Sequence, residues 1–204
     1  MNKIGTFMNM PWADKKMILR KFFLMPILKK GYGHIGNGSC IEKSLAIRGK
    51  KHIYIGNNTF IRPGARIECV TEFAGKQYNP RLSIGNNVHI EQNIHMTCAE
   101  SIEVGDNVTI LSNALVTDIN HSYKKINVSL LDQELETHRV KIGSYCLIGS
   151  GARIMPGVIL GKNVIVGTNA VVTKSVPDYS IVAGVPATII KKYNFEKNEW
   201  VTVQ

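Results

Sequence analysis

Aliphatic residues return at every sixth position along most of the chain. One run is Ile35, Ile41, Ile47 and Ile53, and after a two-residue slip it resumes as Ile55, Ile61 and Ile67. A second is Ile84, Ile90, Met96 and Ile102, resuming after another two-residue slip as Val104, Ile110 and Val116. The longest is Ile142, Ile148, Ile154, Leu160, Val166 and Val172. Four residues after many of these positions stands a small or β-branched residue, among them Ser39, Thr59, Ala65, Val88, Val108, Ala114, Cys146, Ala152, Val158, Val164, Ala170 and Val176. Gly often follows the ladder residue directly, as in Ile55-Gly56-Asn57-Asn58 and Leu160-Gly161-Lys162-Asn163. Gly and Asn tolerate the positive φ of tight corners. A six-residue period matches neither helical nor alternating strand periodicity. It matches one side of a triangular solenoid, in which a short strand points one aliphatic inward and a corner turns the chain. Three sides make a coil of about eighteen residues, and stacked coils pair as parallel strands. The pattern therefore predicts an all-β parallel β-helix along these rungs, from Ile35 to Val172.

Two stretches break the period, 68–83 (ECVTEFAGKQYNPRLS) and 122–139 (SYKKINVSLLDQELETHR). Both exceed ordinary connections and mark candidate functional loops. The segment 12–30, WADKKMILRKFFLMPILKK, reads as a short basic amphipathic helix broken near Pro26. Within an N-terminal region 1–34 it can cap the open end of the solenoid or rest on anionic lipid. The tail 193–204 carries no clear signal.

The richest repeat stretch is KIGSYCLIGSGARIMPGVILGKNVIVGTNAVVTKSVPDYSIVAGVPATIIKKY. It resembles the C-terminal coils of the hexapeptide-repeat acyltransferases, in the sugar O-acetyltransferase branch with the maltose, galactoside and polysaccharide enzymes. The resemblance covers roughly 35–192 and is strongest over 142–192. It implies a left-handed parallel β-helix with a protruding loop, acetyl-CoA as co-substrate, a saccharide acceptor, and a homotrimer with sites between subunits. Two departures stand out: Leu147 replaces a Trp common in the sugar enzymes, and Thr188 stands where they often carry Arg.

His121 is the candidate catalytic base. It sits at a corner, just before the second interruption, and an imidazole titrating near about pH 6.5 can take and pass on a hydroxyl proton. In the resembled family a histidine leaving the coil before an extended loop has that role, and the spacing from Asn113 to His121 matches the family's. Asp118 and Glu91 are candidates to orient the imidazole or hold the acceptor, although the galactoside enzymes carry Asn where Glu91 stands. By resemblance, Gly149, Ser150 and Thr168 line the pantetheine arm, while Thr173, Lys174 and Lys191 lie near the nucleotide. An oxyanion donor is expected at the backbone N–H of Gly149 or Ser150. Cys146, at a small inward position, reads as core rather than nucleophile. His89 and His95 fall on successive sides and should diverge, and His121 lacks the following histidine of the zinc-binding carbonic anhydrases of this fold, so no metal site is expected.

Charge adds one constraint. Lys and Arg number 25 against 15 Asp and Glu, a formal net charge of +10, which favours a polyanionic ligand such as a phosphate-bearing co-substrate or an anionic membrane. No recognition helix or aromatic–basic platform points to nucleic acid. The 204 residues suffice for one domain, and with 7% aromatics its core must be aliphatic. No CxxC pair, signal peptide or transmembrane run is visible, which places the chain in a reducing cytoplasm, with peripheral membrane contact as an option. The expected activity is acetyl transfer to a saccharide hydroxyl in surface-polysaccharide synthesis. Transfer to an amine of a sugar or antibiotic, and a non-catalytic scaffold, are the alternatives.

Overall fold

The computed structural model describes residues 12, 15, 19 and 25–203. The chain winds into a three-sided prism built from three parallel sheets. The first face stacks His34–Ile35, Ile53–Ile55, Arg81–Ile84, Ser101–Val104, Val140–Ile142 and Ile159–Leu160. The second stacks Cys40–Ile41, Phe60–Ile61, His89–Ile90, Thr109–Ile110, Leu147–Ile148 and Ile165–Val166. The third stacks Ala46–Arg48, Arg66–Cys69, His95–Cys98, Leu115–Thr117, Arg153–Ile154 and Val171–Val172. Edge I joins the first and second faces, edge II the second and third, and edge III the third and first.

Register follows the six-residue period. Ile61, Ile90 and Ile110 pair across successive coils of the second face, and Ile148 and Val166 continue the column. Every ladder position is buried except Ile47, which is half-buried. The small positions four residues later are buried as well and line the corners. Glycine at edge I has a specific reason. A Cβ on Gly56 would lie 2.7 Å from the Gly85 backbone and from Asn86 Oδ1, so coils cannot stack there with a larger residue. Asn58, Asn87, Asn107 and Asn113 turn corners at positive φ, as the Gly/Asn pattern predicts.

The interruptions are narrower or wider than their sequence limits suggest. Strands run into both ends of the first, leaving an excursion at 70–80 that holds a hairpin, Glu72–Phe73 with Lys76–Gln77. The second begins earlier, at Ile119, where Ile119–His121 pairs antiparallel with Leu135–Thr137 to form an arm. The chain rejoins the prism at His138, whose N–H donates to the Asp118 carbonyl at 2.8 Å. Both excursions leave at edge III.

The ends also differ from a plain solenoid. The second sheet is completed by Ser180–Gly184, and then by the antiparallel strands Ala187–Asn194 and Glu199–Thr202. The tail is thus part of an ordered ribbon, which one sequence without alternation did not reveal. At the other end the helix Met25–Leu28 begins at the expected break, and Met25 is buried in the core. Proline is tolerated in such a first turn. Lys29 and Lys30 follow it in a turn, and the rest of the expected 12–30 helix lies outside the described residues, apart from helical positions 12, 15 and 19. Among the described residues no helix is long and apolar enough to cross a membrane.

Candidate active site

His121 ends the first strand of the arm, with its side chain exposed. Its ring meets Phe73 of the first excursion edge-on, with centroids 5.4 Å apart and planes at 65°. Such an aromatic contact restrains a ring without consuming its nitrogens. Two further contacts join the excursions. Tyr78 Oη accepts from Leu135 N–H at 2.8 Å, and the same hydroxyl lies 3.3 Å from the Leu135 carbonyl, to which it donates. Lys76 Nζ pairs with Glu134 at 2.7 Å. The hairpin therefore braces the arm at the strand that opposes His121, since Leu135 is its register partner.

The arm is also stiff internally. Gln133, 4% exposed, accepts from Lys125 N–H at 2.9 Å and donates to the carbonyls of Lys125 and Val128 at 3.1 Å each. One side chain thus replaces the ladder that the loop lacks.

Asp118 lies at the root of the arm and is fully buried. One carboxylate oxygen accepts from Ala99 N–H at 2.8 Å; the other accepts from Glu100 at 2.8 Å and Ser101 at 2.7 Å. The Cys98 thiol lies 3.5 Å away. Burial pushes this carboxyl up from the ordinary aspartate range, and the three backbone donors pull it back. The sequence leads one to expect Asp118 to orient the imidazole or hold the acceptor. Its hydrogen bonds instead go to the preceding coil, because the residue points into the corner rather than along the arm. It fixes where the arm leaves the prism.

The other candidates divide between two edges. Glu91, Asn113, Gly149, Ser150 and Thr168 all lie on edge II. There Glu91 N–H donates to Ile110 and Gly149 N–H to Val166, both at 2.8 Å. Gly149 is thus excluded as an oxyanion donor, its N–H being used between coils, whereas Ser150 N–H has no backbone partner among the described residues. Glu91 faces Arg62 at 3.8 Å rather than His121. Asn113 adopts φ 62° and accepts from Asn93 Nδ2 at 3.2 Å, a corner role. Thr173 and Lys174 are exposed on edge III, below the arm, and Lys191 is exposed on the C-terminal ribbon. The whole third face separates His121 from Ser150 and Thr168, so one chain does not bring them together.

Cys146 is buried and its thiol donates to the Gly161 carbonyl at 3.1 Å. Burial pushes its pKa up to about 11, which removes it as a nucleophile. His89 and His95 lie on the second and third faces, as expected from the period. Among the described residues no three His, Cys, Asp or Glu side chains gather around a possible metal. Phe73 and Tyr78 escaped sequence reasoning. Their one signal was two aromatics within eleven residues of an excursion, in a chain poor in them.

A family model described as bacterial transferase hexapeptide (six repeats) matches residues 139–174. The putative lipopolysaccharide biosynthesis O-acetyl transferase WbbJ of Escherichia coli (strain K12) is 38% identical over 122 residues, covering 56% of this chain and 62% of that protein. The galactoside O-acetyltransferase of the same organism is 26% identical over 158 residues, covering 76% and 70%. The chain thus spans less than two thirds of the first of these relatives. Among solved structures, AntD, an N-acyltransferase from Bacillus cereus in complex with dTDP and 3-hydroxybutyryl-CoA, superposes with a TM-score of 0.68 at 23% identity, covering 86% of this chain and 91% of that one. That likeness bears on fold alone. Six-residue rungs and three-sided coils give the chain the left-handed parallel β-helix fold, its residues 139–174 match the bacterial transferase hexapeptide model, and it is similar in sequence to sugar O-acetyltransferases.

Proposed function

We propose that the chain is an acetyl-CoA-dependent O-acetyltransferase acting on a saccharide hydroxyl in surface-polysaccharide synthesis. The observation that carries this reading is the exposed imidazole of His121, held on a braced arm rather than on a loose loop. His121 accepts the proton of the acceptor hydroxyl as its oxygen attacks the thioester carbonyl. The C–O bond forms, and the Ser150 N–H stabilises the resulting oxyanion. Collapse breaks the C–S bond, and the imidazolium returns its proton to the departing CoA thiolate. No acyl-enzyme is involved.

Edge II, the C-terminal ribbon and Lys174 on the last corner of edge III suit the co-substrate. Thr168 is exposed beside the coil that follows Ser150, and Lys174 and Lys191 make no ion pair among the described residues, which leaves both ammoniums for phosphates. In the proposed trimer, edge III of one subunit meets edge II of the next, so His121 reaches the co-substrate bound by its neighbour. The reading is tested by CoA release with galactosides and maltose as hydroxyl acceptors and glucosamine as an amine acceptor. Release with the amine-free sugars is expected. Release with glucosamine alone would move the activity to amine transfer.

A further inference from the structure

The two excursions enclose an open cleft of about 610 Å³ that none of the roles above employs. That size lies in the range of small-molecule sites, roughly 300–1,000 Å³. One wall is the hairpin turn at Ala74 and Lys76, and the other is the arm. His121 does not itself line the cleft, but three residues next to it or to its ring partner do. Ser122 follows it in the chain, Leu135 opposes it in the ribbon, and Ala74 follows the Phe73 that touches its ring, and all three line the cleft.

The lining chemistry selects a class of ligand. Lys76, Lys124 and Lys125 face Asp132, Glu134 and Glu136. Lys76 and Glu134 pair at 2.7 Å and Lys124 and Glu136 at 2.8 Å, while Lys125 makes no ion pair among the described residues. Cations and anions balance, so a polyanion gains little here, in contrast to the unpaired Lys174 and Lys191. An apolar ligand would have to strip water from six charges. A sugar hydroxyl both donates and accepts, and alternating ammonium and carboxylate groups satisfy both functions.

We propose that this cleft is a saccharide subsite, holding uncharged sugar units that adjoin the one whose hydroxyl meets His121. The inference deepens the O-acetyltransferase reading and rests on it for the role of the bound sugar, but binding itself is read without acetyl-CoA. The test is a glycan array bearing neutral and acidic oligosaccharides, probed with the full chain. Wild-type protein is expected to retain neutral oligosaccharides of two or more units. Ala74→Trp, which fills the cleft from a turn already at φ 49°, should weaken retention by about tenfold or more, equivalent to losing one or two hydrogen bonds. Lys125→Glu should do the same without altering packing, and calorimetric binding of acetyl-CoA should be unchanged in both. His121→Ala should still bind the glycans. Retention of acidic glycans only, or unaltered retention by both cleft variants, would overturn the subsite. If the cleft variants lose glycan binding while the wild-type chain neither binds acetyl-CoA nor releases CoA, the subsite stands and the transferase reading falls.

Discussion

His121→Ala should lower turnover by about a hundredfold or more, while acetyl-CoA binding measured by calorimetry stays at the wild-type level. The two halves of this outcome follow from the geometry. The imidazole stands on edge III, on an arm that adds nothing to the prism core, so its loss removes the proton acceptor without disturbing coil stacking. Of the groups assigned to the co-substrate, Ser150 and Thr168 lie on edge II, across the third face, and Lys191 lies on the C-terminal ribbon, while Lys174 lies on edge III two coils beyond the arm. Near-normal turnover in a steady-state CoA-release assay would remove His121 from the chemistry. Lost acetyl-CoA binding would show that the arm shapes the co-substrate site instead.

Asp118→Ala should destabilise the fold by about 2–4 kcal/mol in urea unfolding, and should lower activity although the residue touches no reacting atom. The carboxylate satisfies three backbone donors at the corner 99–101, of which Ala99 is fully buried and Glu100 and Ser101 are half-buried. Each buried donor left unmet costs about 1–3 kcal/mol, and water can reach the two less buried ones, so the sum falls short of three full penalties. The same carboxylate sets the take-off of the arm, hence the loss of activity through misplacement of His121. Asp118→Asn should recover part of both losses, because an amide oxygen still accepts. Wild-type stability in Asp118→Ala would mean that the corner holds without it.

The prism was legible in the sequence because its physics is one-dimensional. Each rung needs one inward aliphatic and one small corner residue, and the residues that meet, such as Ile61, Ile90 and Ile110, occupy equivalent places in successive coils. Cys146 was legible for the same reason: a small corner position predicts burial whatever the side chain could do chemically. The braced arm was not legible. Phe73 and His121 stand 48 residues apart in two excursions that share no period, and their contact depends on both leaving from edge III. Asp118, expected to orient the imidazole or hold the acceptor, spends its carboxylate on backbone N–H groups instead. Proximity in sequence suggested the imidazole, whereas the orphaned N–H groups of the neighbouring coil had the stronger demand. Gly149 shows a further limit, since backbone donors used between coils cannot be told from free ones without the stacking register.

The most direct test of the inter-subunit site is complementation between two inactive variants. His121→Ala removes the base on edge III, and Ser150→Trp blocks edge II. The two proteins, each checked for a native unfolding transition, are mixed in equal amounts, denatured and refolded together. If the site is built from edge III of one subunit and edge II of its neighbour, random assembly leaves about a quarter of the sites with both edges intact, and CoA release should return to about that fraction of wild type. Activity no greater than the sum of the two variants alone would contradict it.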